Sequence, residues 1–582
     1  VRDLNKNGRI DPYEDPSQPI SVRVADLLGQ MTLAEKAGLL FHTMAPFGQW
    51  GFLPSGEELL TTKLMNHFNV IGVVPVREMA EWNNAIQRVA EASRLGIPVS
   101  ISTDPRHTFS DNIGANFNAG EFSQWPEPLG LAATRDADLV EQFGDIARQE
   151  YVAVGIRTAL HPVADLATEP RWARGNGTFG EDADLVAELV SAYIRGFQGP
   201  ELGPESVACM TKHFPGGGPQ KDGEDPHFPY GREQVYPGNR FDYHLGPFEA
   251  AFAAGTSQIM PYYGMPVGIG YEEVGFGFNK EIVTGLLREH YGFDGVVCSD
   301  WGLITDARIM GKFLPARAWG VEHLTPIERA KKILDAGCDQ FGGEACPELV
   351  IELVESGQVS EARIDESVTR LLREKFRLGL FDNPYVDVDG AVALVGNAKF
   401  IEAGTEAQRR SMVLLKNGNA ALPLHGRPRI YVEGIDPAAL AADADVVDSV
   451  ADAEFALLRI AAPFEPRDEL GLEAMFHAGS LAFSDTERNR ILAITEAVPT
   501  IVDIYLDRPA VIPEIANSCT ALVANFGASA AVLVDLVFGR FAPGGKLPFE
   551  LPSSMEAVER QLPDVPYDSE APLFPFGHGL TW

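Results

Sequence analysis

The sequence predicts an α/β protein: a (β/α)8, TIM-like barrel followed by an α/β sandwich domain. Three observations carry that expectation. Short apolar, β-branched runs alternate with longer stretches of helical spacing from about residue 20 to 385, and eight such runs precede the helical stretch 365–378. A second, shorter alternation follows a segment, 386–404, that lacks strong periodicity. Alternation of this kind is how repeated βα units around a parallel sheet read in a sequence.

The eight strands are expected at 38–42, 70–76, 97–103, 156–162, 206–213, 257–261, 295–300 and 336–341. Helical spacing of apolar residues marks 80–94, 138–152, 184–197 and 280–290 between them. Eight βα units over this length fit a barrel. Beyond 405, strands are expected at 412–416, 429–432, 456–460, 501–506 and 521–526, with helices at 485–498 and 529–538. The expected division is therefore 1–19 as a lead-in, 20–385 as the barrel, 386–404 as a linker and 405–582 as the sandwich.

Composition bounds what such a protein does. The 582 residues carry 47 Lys and Arg against 82 Asp and Glu, a net charge of −35. That excess repels phosphate backbones and anionic lipid, so neither nucleic acid nor a membrane surface is an expected partner. No run of about 18 apolar residues is present to span a bilayer. The five cysteines have no CxxC spacing, and Cys209, Cys298 and Cys338 lie in apolar runs, as small core hydrophobes do.

In a (β/α)8 barrel the reactive side chains stand at the C-terminal ends of the strands. Read there in order, the chain offers Asp104, Arg174 in EPRWARGNGTFGED, Lys212 and His213, Tyr262 and Tyr263, and Asp300 with Trp301. Any one of these has a plain structural explanation, such as helix capping for Asp104 or a hydrogen-bonded core imidazole for His213. Together they are costly to bury for stability alone, at about 1–3 kcal/mol for each unpaired group. Asp300 closes the apolar run GVVCSDW, where a carboxylate can serve as nucleophile or base. Cationic neighbours such as Lys212, His213 or Arg174 favour its ionised form. Trp301 offers a flat aromatic face against which a ligand can pack.

The first residues hold a further pattern. Asp3, Asn5, Asn7, Arg9, Asp11 and Glu14, with Gly8 at the turn, follow the ligand order of an EF-hand loop. Only Val1 and Arg2 precede it and Pro16 follows, so the flanking helices of a calcium sensor are missing. A structural Ca2+ that ties down the N-terminus is expected, with an Asx-rich turn holding no metal as the alternative.

The motifs DPR after IPVSIST, EPRWARGNGTFGED, KHFPGGG, IMPYYGMP, GVVCSDWG, SMVLLKNGNAALPL, APGGKLPFELP and FPFGHGLTW occur in an order that resembles glycoside hydrolase family 3 through both domains. The resemblance implies the barrel and sandwich, without the fibronectin-like third domain of many relatives. It implies a retaining exo-β-glycosidase with Asp300 as nucleophile and Asp104, Arg174, Lys212, His213 and Tyr263 as contacts to the terminal sugar. A β-glucosidase acting on short β-linked oligosaccharides or aryl glucosides is the expectation. β-Xylosidase or β-N-acetylglucosaminidase activity is the alternative, and a catalytically silent sugar-binding protein the rival of another class. No organic cofactor is implied. The substrate and the calcium loop together favour a secreted or periplasmic location.

The proton donor is less clearly marked. The resemblance implies an acid/base from the second-domain loop PFEPRDELGLEAMFHAGSLAF, which holds Glu465, Glu469 and Glu473; Glu473, just before SLAF, is expected to fill the role. The start KHFPGGG also resembles the KHFPGHG of the N-acetylglucosaminidase branch, where an Asp/His pair carries the proton. Here Gly217 replaces that motif's histidine, and Asp225-Pro226-His227 comes slightly late. His227 is therefore expected to line the pocket, with an Asp225/His227 acid/base as the alternative.

Overall fold

The computed structural model describes residues 2–45 and 56–582. Its first sheet has eight parallel strands: β1 (Phe41–Met44), β2 (His67–Val70), β3 (Ser100–Thr103), β4 (Ile156–Ala159), β5 (Ala208–Phe214), β6 (Gln258–Pro261), β7 (Val296–Val297) and β8 (Phe341–Gly342). They neighbour one another in the order β8-β1-β2-β3-β4-β5-β6-β7. The sheet curls until its two end strands are linked by a parallel bridge between Cys298 and Gln340.

Helices cross between successive strands, and their ends follow from local chemistry. Asp136 accepts the Leu139 amide to start Ala137–Val154, which stops at Gly155 with φ 92°. Asp182 caps Ala183–Gln198 in the same way through the Leu185 amide.

Three strands differ in position from the sequence expectation. β1 begins at Phe41 because Thr32 and Glu35 form a capping box that nucleates the helix Leu33–Leu39, which takes in residues 38 and 39. That helix packs so closely that a side chain on Gly38 would meet the Leu64 carbonyl at 2.2 Å. β2 is the polar His67–Val70 rather than the apolar 70–76, since Val76 already opens the helix Val76–Ala92. β8 is displaced from 336–341 because Ala336 ends the helix Pro326–Ala336, capped by Gly337 at φ 111°. The segment 386–404 is also not irregular: helices Val388–Leu394 and Ala398–Ser411 run through it.

The second sheet has six strands: β9 (Val413–Asn417), β10 (Arg429–Glu433), β11 (Asp445–Val447), β12 (Phe455–Ala461), β13 (Thr500–Tyr505) and β14 (Ala521–Asn525). Their order is β9-β14-β13-β12-β10-β11, parallel except for the β9–β14 pair. Alternate residues serve opposite faces. Leu458, Val502 and Leu522 enter one apolar cluster, and Leu457, Ile501 and Val523 the other. A sheet covered on both faces is the sandwich predicted, with β11 the strand that the sequence did not mark.

The second domain docks on the end of the curled sheet where the strand-to-helix loops gather. Arg508 is fully buried there and donates to the carbonyls of Arg171, Gly479 and Pro463, joining a first-domain loop to two second-domain segments. Among the described residues no helix is long and apolar enough to cross a membrane.

Candidate active site

A cavity of about 180 Å3 opens at the C-terminal ends of the strands. Asp104, Arg174, Lys212, His213, Tyr263, Asp300, Trp301 and His227 all line it, so residues read from six separate segments converge on one place. Lys212 and His213 are neighbours in sequence and would face opposite sides of a regular strand. Both reach the cavity because the β5–β6 register shifts between Lys212 and Phe214.

Asp300 is buried, and its Oδ1 accepts the Trp301 amide at 2.8 Å. No hydrogen bond of ordinary geometry reaches its Oδ2 among the described residues, although the Tyr263 hydroxyl is near enough to favour the charged form. Burial pushes the carboxyl up to about 6, against the pull of the Trp301 amide and the cationic Arg174 and Lys212. A carboxylate with one oxygen tethered and the other unbonded is oriented and still available to react.

Around it lies a tightly bonded set. Lys212 Nζ donates to Asp104 Oδ1 at 2.9 Å, and Asn69 Nδ2 donates to Asp104 Oδ2 at 3.2 Å. Arg174 donates to His213 Nε2 at 3.1 Å, so that nitrogen is an acceptor and Nδ1 carries the proton it gives to Asp165 at 2.6 Å. His213 is thus a neutral imidazole, and burial followed by the nearby Arg174 charge keeps its pKa well below the usual range. Tyr263 gives its hydroxyl proton to the Trp301 carbonyl at 2.7 Å, which braces the turn carrying Asp300.

Asp225 and His227 form a second buried pair. His227 Nδ1 lies 2.6 Å from Asp225 Oδ1, which also accepts the His227 amide at 2.9 Å, while Trp172 Nε1 donates to Asp225 Oδ2. Burial alone raises a carboxyl, but the imidazole, its hydrogen bond and Arg174 hold Asp225 down at about 2. Burial brings His227 down to about 4 in spite of the carboxylate beside it. With Nδ1–H committed to Asp225, Nε2 is the nitrogen left to exchange a proton, and among the described residues nothing hydrogen-bonds to it. The proline between the two residues costs nothing, because the pair is closed by the His227 amide rather than by residue 226.

Glu473 lies elsewhere. It borders a separate groove of about 500 Å3 with Glu224, Tyr230, Arg467 and Glu469, and it does not line the cavity of Asp300. Its oxygens accept the Tyr230 hydroxyl at 2.7 Å and the Leu470 amide at 2.8 Å. Glu465 is an ion-pair neighbour of Arg467 at 3.7 Å. The loop that bears these glutamates still reaches the site through other residues. Leu472 lines the cavity, and the Phe476 ring packs 4.7 Å from His227.

Asn69, Asp165 and Arg317 belong to the site and were not singled out in the sequence. Asn69 was hidden by the misplaced second strand, whose true end is at Val70. Asp165 sits in the apolar run HPVADLA, where a lone buried acid was the available signal. Arg317 follows β7 by a long loop; its Nε donates to the His227 carbonyl at 3.3 Å and its guanidinium lies 5.5 Å from the Tyr263 ring centre.

The N-terminal loop is satisfied from within. Asp3 accepts the amides of Asn7 and Gly8, and Asn7 Oδ1 accepts that of Arg9. Asp11 takes the side-chain amides of Asn5 and Asn7 and pairs with Arg9 at 3.0 Å. Glu14 takes the amides of Leu4, Asn5 and Asp11. Among the described residues no group of three or more His, Cys, Asp or Glu is placed to hold a metal. The calcium that the motif predicts is therefore not displayed by the geometry, because these oxygens already have proton donors.

Comparison with known proteins agrees with the geometry. The glycosyl hydrolase family 3 N-terminal domain matches residues 58–374 and the family 3 C-terminal domain residues 438–582. A protein of Aspergillus oryzae named probable beta-glucosidase C is 55% identical over 99% of this chain and 92% of its own. A periplasmic beta-glucosidase/beta-xylosidase of Dickeya chrysanthemi is 44% identical over 100% of this chain and 93% of its own. The solved structure of a β-glucosidase from Erythrobacter marinus superposes with a TM-score of 0.79, covering 98% of this chain and 84% of that one, at 22% identity. With its two domains in order and its polar residues gathered at the strand ends, the chain belongs to glycosyl hydrolase family 3.

Proposed function

We propose that the protein is a retaining β-glucosidase that removes terminal β-D-glucose from small glycosides through a covalent intermediate on Asp300. The observation that carries this is the carboxylate of Asp300, tethered by one oxygen and unpartnered at the other, in a cavity that also presents Asp104, Lys212 and Arg174. A cavity of about 180 Å3 suits one enclosed sugar ring and hence exo-action. The names of the Aspergillus oryzae and Dickeya chrysanthemi relatives support glucose as that sugar. We read the curled sheet, with its Cys298–Gln340 bridge, as a closed (β/α)8 barrel spanning about 20–385, and 405–582 as the docked sandwich.

In this reading an Asp300 oxygen attacks the anomeric carbon as the glycosidic bond breaks, and the leaving oxygen takes the proton of His227 Nε2. The neutral His227 then removes a proton from water, whose oxygen displaces Asp300 and releases the sugar with its configuration retained. Asp225 holds the imidazole in the required tautomer. His227 is preferred to Glu473 as acid/base because it shares the cavity with Asp300, whereas the Glu473 oxygens are bound to Tyr230 and Leu470. The chemistry uses side chains alone and calls for no organic cofactor. The test is a comparison of aryl β-glucoside, β-xyloside and N-acetyl-β-glucosaminide, with the product anomer followed by NMR. The glucoside is expected to have the highest kcat/KM and to yield β-glucose first. A leading xyloside would move the assignment toward the second activity in the Dickeya chrysanthemi name. An α first product would remove the covalent mechanism.

We also infer that the loop of Asp3, Asn5, Asn7, Arg9, Asp11 and Glu14 takes a structural Ca2+, on the support of its EF-hand ligand order and of Gly8 at φ 81°. The melting temperature is expected to be about 1–2 °C lower in EGTA than in millimolar CaCl2, which is what roughly 1–2 kcal/mol yields in a chain of this size. Equal values would leave the motif as a hydrogen-bonded turn. Export from the cytoplasm is supported by the periplasmic name of the Dickeya chrysanthemi relative.

A further inference from the structure

Beneath Asp104 a line of polar side chains runs through the interior of the first sheet. His42 on β1 lies with Nε2 2.6 Å from Ser102 Oγ on β3. Ser102 Oγ donates to Asn69 Oδ1 on β2 at 2.9 Å, and Asn69 Nδ2 donates to Asp104 Oδ2 at 3.2 Å. Asn69 and Ser102 are direct partners in the β2–β3 register, so the strands themselves fix their separation. His42, Ser102 and Asn69 are each no more than 2% exposed.

The directions of the two Asn69 bonds are determined. A carboxylate only accepts, so the Asn69 amide nitrogen faces Asp104 and its oxygen faces Ser102. That oxygen also only accepts, so the Ser102 hydroxyl donates to it. Burial keeps His42 neutral, with its pKa held down at about 3. The His42 ring also meets Trp301, the residue after Asp300, edge-on at 5.2 Å. Fold stability does not ask for this line, since apolar side chains would fill the same positions without desolvating four polar groups.

We propose that Asn69 and Ser102 are positioning residues that set the direction in which Asp104 presents its carboxylate to the bound sugar. Lys212 holds Oδ1 and Asn69 holds Oδ2, so the plane of the carboxylate is fixed from two sides. Loss of either link in the chain frees that plane. The proposal rests on Asp104 being a sugar contact.

A double-mutant cycle on kcat/KM for an aryl β-glucoside tests it, with melting temperatures recorded for each variant. Asn69→Ala and Ser102→Ala are each expected to lower kcat/KM about 10-fold or more in the native background. In an Asp104→Asn background the same changes are expected to cost less than about 2-fold, because the group they position is already altered. Asn69→Asp, close in shape, replaces the donor by a like charge and is expected to lower kcat/KM at least as far as Asn69→Ala; it serves if the alanine variant does not fold. Equal fold losses in both backgrounds would show a general packing effect and overturn the proposal. So would native-like kcat/KM in Asn69→Ala together with a strong loss in Asp104→Asn, which would leave the sugar contact intact. Native-like kcat/KM in Asp104→Asn itself would overturn the sugar contact and the proposal with it.

Discussion

Asp300→Asn is expected to lower kcat on the order of 10^4-fold, a loss of about 5.4 kcal/mol of transition-state stabilisation. Asparagine keeps the shape of the side chain and can still accept the Trp301 amide, so the fold around the site has no reason to change. What it removes is the anionic oxygen, and with it both the proposed covalent bond and the charge that would offset an oxocarbenium-like centre. An activated 2-fluoro-glucoside is expected to label the native protein at Asp300 and to leave Asp300→Asn unlabelled, as peptide mass mapping would read. A label on another residue, or a kcat reduced less than about 10-fold, would remove Asp300 from the nucleophile's role.

His227→Ala is expected to cost 10^2- to 10^4-fold in kcat/KM on phenyl β-glucoside, the usual range for a general acid. On 2,4-dinitrophenyl β-glucoside, whose leaving group needs no proton, the loss in kcat/KM is expected to stay below about 10-fold. Azide, which needs no general base, is expected to restore turnover of the accumulated intermediate. Glu473→Ala provides the opposing case: with its carboxylate bound to Tyr230 and Leu470, it is expected to show neither the leaving-group dependence nor azide rescue. If Glu473→Ala shows both and His227→Ala neither, the acid is Glu473.

The pH profile gives the same pair a second readout. In the proposed mechanism Asp300 must be ionised and His227 protonated. Yet burial sets the carboxyl at about 6 and the imidazole at about 4, the reverse of that order. Below about 4 both are protonated and the nucleophile is blocked; above about 6 neither is, and no acid remains. Between these limits the pair shares one proton, with roughly 1% of molecules in the productive arrangement. kcat/KM on phenyl β-glucoside is therefore expected to peak near pH 5 and fall on both sides. In His227→Ala the alkaline limb is expected to disappear, leaving a rate that rises through the Asp300 titration and then levels.

Several parts of this site were legible in the sequence for a simple reason. Asp300, Lys212 and His213 end strands whose preceding residues are apolar, and a charged group closing such a run stands out against the core around it. Their motifs also recur in a fixed order, which is why the resemblance and the strand-end argument met on the same residues. Asn69 did not stand out, because His67-Phe68-Asn69-Val70 has too few apolar residues to read as a strand beside VIGVV. A strand of the curled sheet can be polar on its inner face when its neighbours supply hydrogen bonds, as Ser102 and Asp104 do for Asn69.

The acid/base shows the limit most clearly. Three glutamates in one loop are alike as sequence, and Pro226 between Asp225 and His227 read as a defect. The difference arises from which groups meet across 243 residues: Tyr230 binds Glu473, and Arg467 binds Glu224. The sequence by itself determined the alternation of strands and helices, two α/β domains, and the placing of the charged strand ends at one mouth. These follow from periodicity and from the rule that strands of such a sheet end at a common face. Only the tertiary structure decided which of those charges are bonded and which are left unpartnered. That depends on distances of a few ångströms between segments far apart in the chain, a scale on which hydrogen bonding and desolvation change steeply and local pattern carries no information.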